Sequence, residues 1–567
     1  MPSLTASAAA SAFGIQAEYR DAWDRPQRAN PETVALLAGT LGIDKVGVAV
    51  PPAVTPSPPG APVCHLPGKA QAWGWAAQLY AVRSRRSWGI GDLDDLRRLG
   101  DWAAGLGAGF IQLNPLHAAA PVGPQQASPY FPSSRRFRNP VYISIEQVPG
   151  YRRVAADIAP LARRAHALNS SRLVDRDAVV ALKLEALEMI WAASPPRRGM
   201  EAWRAASGRA LGTYGTYCAL AERHGADWRT WPAGLRRPAA AMRSEEARQL
   251  EPRSRFHEWL QWLLDLQLGR ASRRVQAIAD LAIGADPAGA DAWIWFDELI
   301  PGFTVGAPPD ELNRKGQNWG FPAFNPRALV DGDFAPFRET VRANLRHAGG
   351  LRIDHVMGLF RLWMIPNGGG AADGAYVTYP YRPMLDMLAE ESRAARALVV
   401  GEDLGTVQPE VRRELQRRRV LSYRLLWFED RPPRTYPRLA LAALSTHDLP
   451  TVAGAWTGAD QRAMIAAGLE PNIEADRAIV ERISRLTGLP EGAPAEDAVI
   501  AAYRALRQSP SRLVAATLED AVVSAERPNI PGTTHEWPNW SIGLPGGLEG
   551  LRRSPTARRL AETMASR

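Results

Sequence analysis

Three short stretches decide how this chain folds: Gly349-Gly-Leu-Arg-Ile-Asp-His-Val356, Leu398-Val-Val-Gly-Glu-Asp-Leu-Gly405 and Leu444-Ser-Thr-His-Asp-Leu-Pro450. In each, a short apolar run breaks at an acidic residue: Asp354, Glu402 or Asp448. Near-continuous apolar runs of this length mark parallel strands buried on both faces. Working outward, such runs fall at residues 75–82, 110–116, 278–285, 350–356, 398–402, 423–428, 439–445 and 522–525. Helical periodicity follows several of them, at 92–106, 381–397 and 408–419. Eight strands alternating with helices predict an α/β fold, a (β/α)8 TIM barrel with helical insertions and a short N-terminal helical segment.

The domain boundaries follow from composition. Residues 1–49 read as the N-terminal helical segment, with its clearest helix at 32–41. Residues 50–64 include Val50-Pro-Pro-Ala-Val-Thr-Pro-Ser-Pro-Pro-Gly-Ala-Pro62, which sustains neither a helix nor a central strand and reads as a linker. The catalytic barrel is expected over 65–567, with 150–275 a largely helical insertion that includes stretches at 178–194 and 254–277. Such an insertion would wall one side of a cleft.

Composition removes several classes of function. The net charge of +9 is carried almost wholly by Arg and spread over 567 residues, with no run of five like charges and no zinc-finger spacing. No nucleic-acid partner is expected. No apolar run reaches the roughly 18–20 residues of a membrane helix. The start of the chain lacks the pattern of a secretory signal. Two cysteines, Cys64 and Cys218, do not make a disulfide framework. These features together predict a cytoplasmic protein without a membrane partner. The 19 Trp suit a carbohydrate site, although the core accounts for most of them.

Active sites of such barrels lie at the C-terminal ends of the strands. A lone Asp there is more often a helix cap. Three acids at three equivalent ends, flanked by Arg352 and His447, point to catalysis instead. Cleavage of a glycosidic bond needs this supply: one ionised carboxylate to attack C1 and one carboxyl to shuttle a proton. Arg352 precedes Asp354 by two residues, on the same strand face, as a permanent cation. His355 points the other way and reads as structural. The stretch from Thr304 to Trp319 has no helical or strand period, and a long loop of this kind is often a functional lid. No metal-binding or phosphate-cradling motif is present, so no cofactor and no metal are predicted.

Arg352-Ile-Asp-His-Val-Met-Gly-Leu-Phe-Arg-Leu-Trp363, Gly401-Glu-Asp-Leu-Gly-Thr-Val407 and Ser445-Thr-His-Asp-Leu-Pro-Thr451 resemble 4-α-glucanotransferases of the amylomaltase, or disproportionating enzyme, type in glycoside hydrolase family 77. Ser87-Trp-Gly-Ile-Gly-Asp-Leu93, Ser128-Pro-Tyr130, Asn139-Pro140, Val305-Gly-Ala-Pro-Pro-Asp310, Gly316-Gln-Asn-Trp-Gly320 and Asn529-Ile-Pro-Gly-Thr533 extend the resemblance over roughly residues 65 to 545. It implies that Asp354 is the nucleophile, Glu402 the general acid/base and Asp448 the group that grips the 2- and 3-hydroxyls of the sugar at subsite −1. His447 would donate to a sugar hydroxyl, Tyr130 would stack on the −1 ring, and Asp286 would support the site from its rim. Asp310 and Trp319 would belong to a loop over the acceptor sites, and Asn529 and Pro531 would line the cleft. The implied substrates are maltooligosaccharides and α-1,4-glucans as donors, with glucose or glucan as acceptor. Glycogen, starch and maltodextrin fall in that class.

Two departures stand out. Many bacterial relatives carry a β-rich domain before the barrel, for which residues 42–65 are too few, and Ser541-Ile-Gly-Leu-Pro545 stands where basic residues are usual. A retaining α-1,4-glucan hydrolase would use the same carboxylates, and a catalytically dead glucan-binding protein would have lost one of them.

Overall fold

The computed structural model describes residues 14–42, 54–194, 198–310 and 314–566, apart from Ala22, Asp24, Lys69 and Thr406. Eight short parallel strands form its centre: β1 (Ala72–Ala77), β2 (Phe110–Leu113), β3 (Gln276–Leu281), β4 (Gly350–Ile353), β5 (Leu398–Gly401), β6 (Ser422–Leu425), β7 (Ala440–Ala443) and β8 (Leu513–Thr517). They are hydrogen-bonded in the order β5-β4-β3-β2-β1-β8-β7-β6. A parallel bridge between Val400 and Leu421 joins the two ends, with the Leu421 N–H donating to Val399 at 2.9 Å and the Gly401 N–H donating to Leu421 at 2.8 Å. The ring is thereby closed and leaves no sheet edge.

Alternate strand positions fill the interior. Phe110, Ile278, Leu398, Val400, Leu421, Tyr423, Leu441 and Leu513 form one buried cluster. Gly74 makes room for it, since a Cβ there would lie 2.3 Å from the Phe110 carbonyl oxygen. The same parity carries Asp280 on β3 and Arg352 on β4, nearer the C-terminal ends. The polar site therefore caps an apolar plug.

The sequence placed seven of the eight strands, and the structure moves the eighth. Residues 522–525, expected as the last strand, follow the short helix Leu518–Ala521, and β8 is Leu513–Thr517. Leu513-Val-Ala-Ala-Thr517 is short and rich in Ala, a helix former, so its strand character comes from burial between β7 and β1. The helix expected at 254–277 ends at Ala271, and the chain enters β3 at Gln276. Between β2 and β3 the main helices are Ala155–Ala167, Arg176–Ala193, Arg198–Ser207, Arg209–His224 and Glu251–Ala271.

A second, five-stranded antiparallel sheet stands beside the barrel. Its order is Ile15–Gln16, Ala375–Thr378, Arg361–Pro366, Phe303–Ala307, Gln317–Phe321. This corrects two expectations. The stretch read as a loop without strand period is a hairpin, whose strands Phe303–Ala307 and Gln317–Phe321 pair with a bulge between Asn318 and Phe321. Only about five residues on each side carry the alternation, and Gly306 and Gly320 dilute it. The N-terminal segment is also not purely helical. Ile15–Gln16 adds to the sheet edge and a hairpin, Glu18–Arg20 with Pro26–Arg28, follows. The helix Pro31–Leu41 then starts on the Asn30 side chain and stops at Gly42, whose φ of 64° suits glycine.

Residues 54–64 are strapped onto the barrel helices. Arg418, 2% exposed, donates to Ser57 Oγ at 2.8 Å, to the Pro62 carbonyl at 2.8 Å and to Glu414 Oε1 at 3.0 Å, and also contacts Asp386. The Cys64 N–H donates back to the Arg418 carbonyl at 2.8 Å. No helix among the described residues is long and apolar enough to cross a membrane. Arg418→Ala should destabilise the protein by about 3–5 kcal/mol, because it leaves the Glu414 carboxylate buried without its cation. Chemical denaturation would measure the loss, and a change under 1 kcal/mol would show that the strap holds without it.

Candidate active site

The site starts from one cross-strand pair. Arg352 and Asp280 stand directly opposite each other in the parallel register of β4 and β3. The Arg352 Nη1 donates to both Asp280 oxygens, at 2.7 and 2.8 Å, while Nη2 lies 3.0 Å from Asp354 Oδ1. Burial works against the charge on Arg352, but Asp280 and Asp354 outweigh it and hold the guanidinium protonated well above its ordinary range. Asp354 follows the last residue of β4, and its N–H donates to Leu281 at 3.0 Å. Its side chain remains 21% exposed, and an attacking oxygen has to be accessible.

Glu402 follows the last residue of β5, the strand next to β4. Its Oε1 accepts the Leu404 N–H at 2.6 Å and its Oε2 accepts the His355 N–H at 3.0 Å. His355 can offer that N–H because the chain turns sharply there, at φ 47°. Burial pushes the Glu402 carboxyl up to about 7, with Arg352 opposing the rise and Asp354 adding to it. A carboxyl balanced near neutrality can give a proton and take one back. Burial lowers His355 to about 4, so its ring is neutral, and it packs edge-on against Trp319 at 5.1 Å.

The third group extends from β7. Asp448 Oδ1 accepts from the Asn529 amide at 2.7 Å, and Oδ2 lies 3.3 Å from His447 Nε2. Burial opposes ionisation of Asp448, but His447 and Asn529 outweigh it and hold the carboxyl below its usual range. The Tyr130 hydroxyl donates to Asp280 at 2.6 Å and lies 3.3 Å from His447 Nδ1. That hydroxyl has only one proton, so His447 must be the donor to it. Burial would lower the pKa of His447, but Asp448 outweighs it and raises it above the usual value. The Trp540 ring packs against both, 4.9 Å from His447 and 5.3 Å from Tyr130.

The structure thus brings together Arg352, Asp354, Glu402, His447, Asp448, Tyr130 and Asn529. Asp310 and Trp319 line an adjoining cleft with His355. Asp286 does not join the cluster. Its carboxylate accepts the Ala288 N–H at 2.7 Å, and its charged neighbours are Arg229 and Asp227. The acid that supports the site from β3 is Asp280, six residues earlier and inside the strand. Pro531 is exposed in the turn after Asn529.

Three residues were missed by reading the sequence. Asp280 had a signal, an acid inside an apolar run at the parity of Arg352. Glu519, which lines the same pocket, lies just beyond the true β8, so misplacing that strand hid it. Burial pushes its carboxyl up to about 7. Trp540, at φ 58°, had no local signal. Among the described residues no group of three His, Cys, Asp or Glu side chains is placed to hold a metal ion.

A (β/α)8 barrel with an ion-paired carboxylate, a near-neutral carboxyl and an Asp–His pair at one end defines an enzyme of glycosidic-bond cleavage. Residues 77–547 match the family model Glyco_hydro_77, 4-alpha-glucanotransferase, and the chain belongs to that family, whose members transfer α-glucan segments. It is 43% identical over 542 residues to the 4-alpha-glucanotransferase of Mycobacterium tuberculosis (strain ATCC 25618 / H37Rv), covering 87% of this chain and 74% of that one. Similarity to the Haemophilus influenzae 4-alpha-glucanotransferase is 34% identity over 523 residues, covering 83% and 75%. The crystal structure of amylomaltase from Corynebacterium glutamicum is similar in fold, with a TM-score of 0.78 and 33% identity over 87% of this chain and 75% of that one. A Streptococcus agalactiae amylomaltase in complex with acarbose has the same fold, at a TM-score of 0.71 and 17% identity over 87% and 99%.

Two outcomes follow from this geometry. If Glu402 donates the proton, kcat/KM for the donor glucan should fall about tenfold per unit above about pH 7, on the alkaline side of a bell whose acid side is set by the nucleophile. A profile flat to pH 9 would remove Glu402 from that role. Asp280→Asn should lower kcat on the order of 10²-fold and also lower the melting midpoint, because Arg352 loses its anchor beside Asp354 and stays buried with one carboxylate fewer. Unchanged kcat would show that Arg352 is held without it.

Proposed function

We propose that this chain moves segments of α-1,4-glucan from a donor to the 4-hydroxyl of glucose or of another α-1,4-glucan, by a retaining double displacement. The observation that carries this reading is the contrast between two neighbouring acids. Asp354 is paired with a guanidinium and partly exposed, whereas Glu402 accepts two backbone N–H groups and is raised by burial to about 7.

In the first step an Asp354 oxygen attacks C1 of the sugar at subsite −1. The bond from C1 to the glycosidic oxygen breaks, and Glu402 gives that oxygen its proton. In the second step the Glu402 carboxylate takes a proton from the acceptor 4-hydroxyl. The acceptor oxygen then attacks C1 and releases Asp354, with net retention. Asp448 grips the 2- and 3-hydroxyls, where hydrogen bonds strengthen as the ring flattens toward an oxocarbenium ion. The Asn529 amide and the His447 ring fix its orientation. Tyr130 offers its ring face to the −1 sugar and ties that face to Asp280.

Transfer requires that a sugar hydroxyl outcompete water at the covalent intermediate. The hairpin from Phe303 to Phe321 supports this outcome, since Trp319 packs on His355 directly beside Glu402. Maltodextrins fit as donors, with glycogen or starch as longer ones. Two free, buried cysteines suit a reducing, cytoplasmic setting.

Incubation with maltotriose should yield glucose together with oligomers longer than the substrate. Glucose and maltose alone would mean hydrolysis. Asp354→Asn should lower turnover by at least 10⁴-fold while glucan still binds, and near-normal turnover would overturn the assignment.

A further inference from the structure

Beside the carboxylates lies a larger cavity, about 1470 Å³ when the space open to solvent is counted. His355 and Leu404 form its inner end. These are the residues whose N–H groups hold the Glu402 carboxylate. In a double displacement the leaving chain departs, and the acceptor enters, on the side of the proton-shuttling acid. The cavity therefore extends the acceptor side of the site.

Its outer wall does not come from the barrel. Gln16, Arg20 and Asp21 of the N-terminal segment line it, together with Trp319 of the hairpin. That segment is fixed to the body of the molecule. Ile15 and Gln16 pair with Val377 and Tyr376, and the Tyr19 ring packs on Trp363 at 5.0 Å and on Tyr376 at 5.6 Å. Arg361, also in the lining, donates to Gln16 Oε1 at 3.1 Å while its guanidinium covers the Tyr376 ring at 3.9 Å. Aromatic faces beside planar hydrogen-bonding groups are what a sugar ring needs, with its apolar C–H face and its rim of hydroxyls.

We infer that the N-terminal segment, through Gln16 and Arg20, completes a binding site for the outer residues of an α-1,4-glucan acceptor, beyond the sugar next to Glu402. This rests on the glucan-transfer reading above. The segment would then set the preference for oligosaccharide acceptors over glucose. Glucose fills only the place next to Glu402 and does not reach the wall.

The test uses the full chain carrying Gln16→Ala and Arg20→Ala together, with α-maltotriosyl fluoride as donor. Fluoride release without acceptor reports formation of the glycosyl-enzyme, and its absence in the unaltered chain would count against the transfer reading itself. Given release, the KM for maltotriose as acceptor should rise at least fivefold in the variant, while the KM for glucose moves less than twofold. Equal changes for both acceptors, or no change for either, would overturn the inference. If the double variant releases no fluoride, Arg20→Ala alone, at an exposed position, decides by the same two KM values.

Discussion

The Arg352 guanidinium is almost wholly removed from water and answers to two carboxylates, Asp280 and Asp354. Burying such a charge is expensive unless its hydrogen bonds are nearly all made. That demand fixes much of the site. Asp280 must sit opposite Arg352 in register, which fixes β3 against β4. With Asp280 in place, the Tyr130 hydroxyl has a partner, and Tyr130 in turn defines the position of His447. His447 then orients Asp448 from one side while Asn529 holds it from the other. Parallel pairing of β5 with β4 adds the rest, because it brings Glu402 within reach of the His355 N–H.

The site is assembled at some cost to the fold. Glu402 and Glu519 are both pushed up to about 7 by burial, so each disfavours the ionised form at neutral pH. His355 and Trp540 adopt left-handed backbone at φ 47° and 58°. Such conformations are costly for residues other than glycine and cluster where a site over-determines them. Here one presents an N–H to Glu402, and the other lays an indole against His447 and Tyr130. The apolar barrel interior and the packed helices compensate.

How much of this the sequence carried depends on the length of the signal. Apolar runs of five to eight residues revealed seven barrel strands, and acids at three of their ends revealed Asp354, Glu402 and Asp448. These were legible because buried parallel strands tolerate few polar residues. Asp280 broke the same rule one strand earlier and was passed over for Asp286, which lies past the strand end. Strand parity separates them: only Asp280 shares the inward face with its partner Arg352. The Ala-rich β8 hid Glu519. The second sheet was invisible for a different reason, since its strands are short and carry glycine, and their pairing is set by partners up to some 360 residues apart in the chain. Trp540 reaches the site through a turn that tertiary packing alone determines.

The central claim is that Asp354 attacks the sugar and Glu402 moves the proton. Supplying Glu402→Gln with α-maltotriosyl fluoride isolates it, because fluoride leaves without an acid while the intermediate lacks a base to resolve it. After rapid quenching and proteolysis, mass spectrometry should find one maltotriosyl ester, on the peptide containing Asp354 and at that residue. An ester on Asp280, Asp448 or Glu519, or fluoride released with no ester at any acid, would contradict the account.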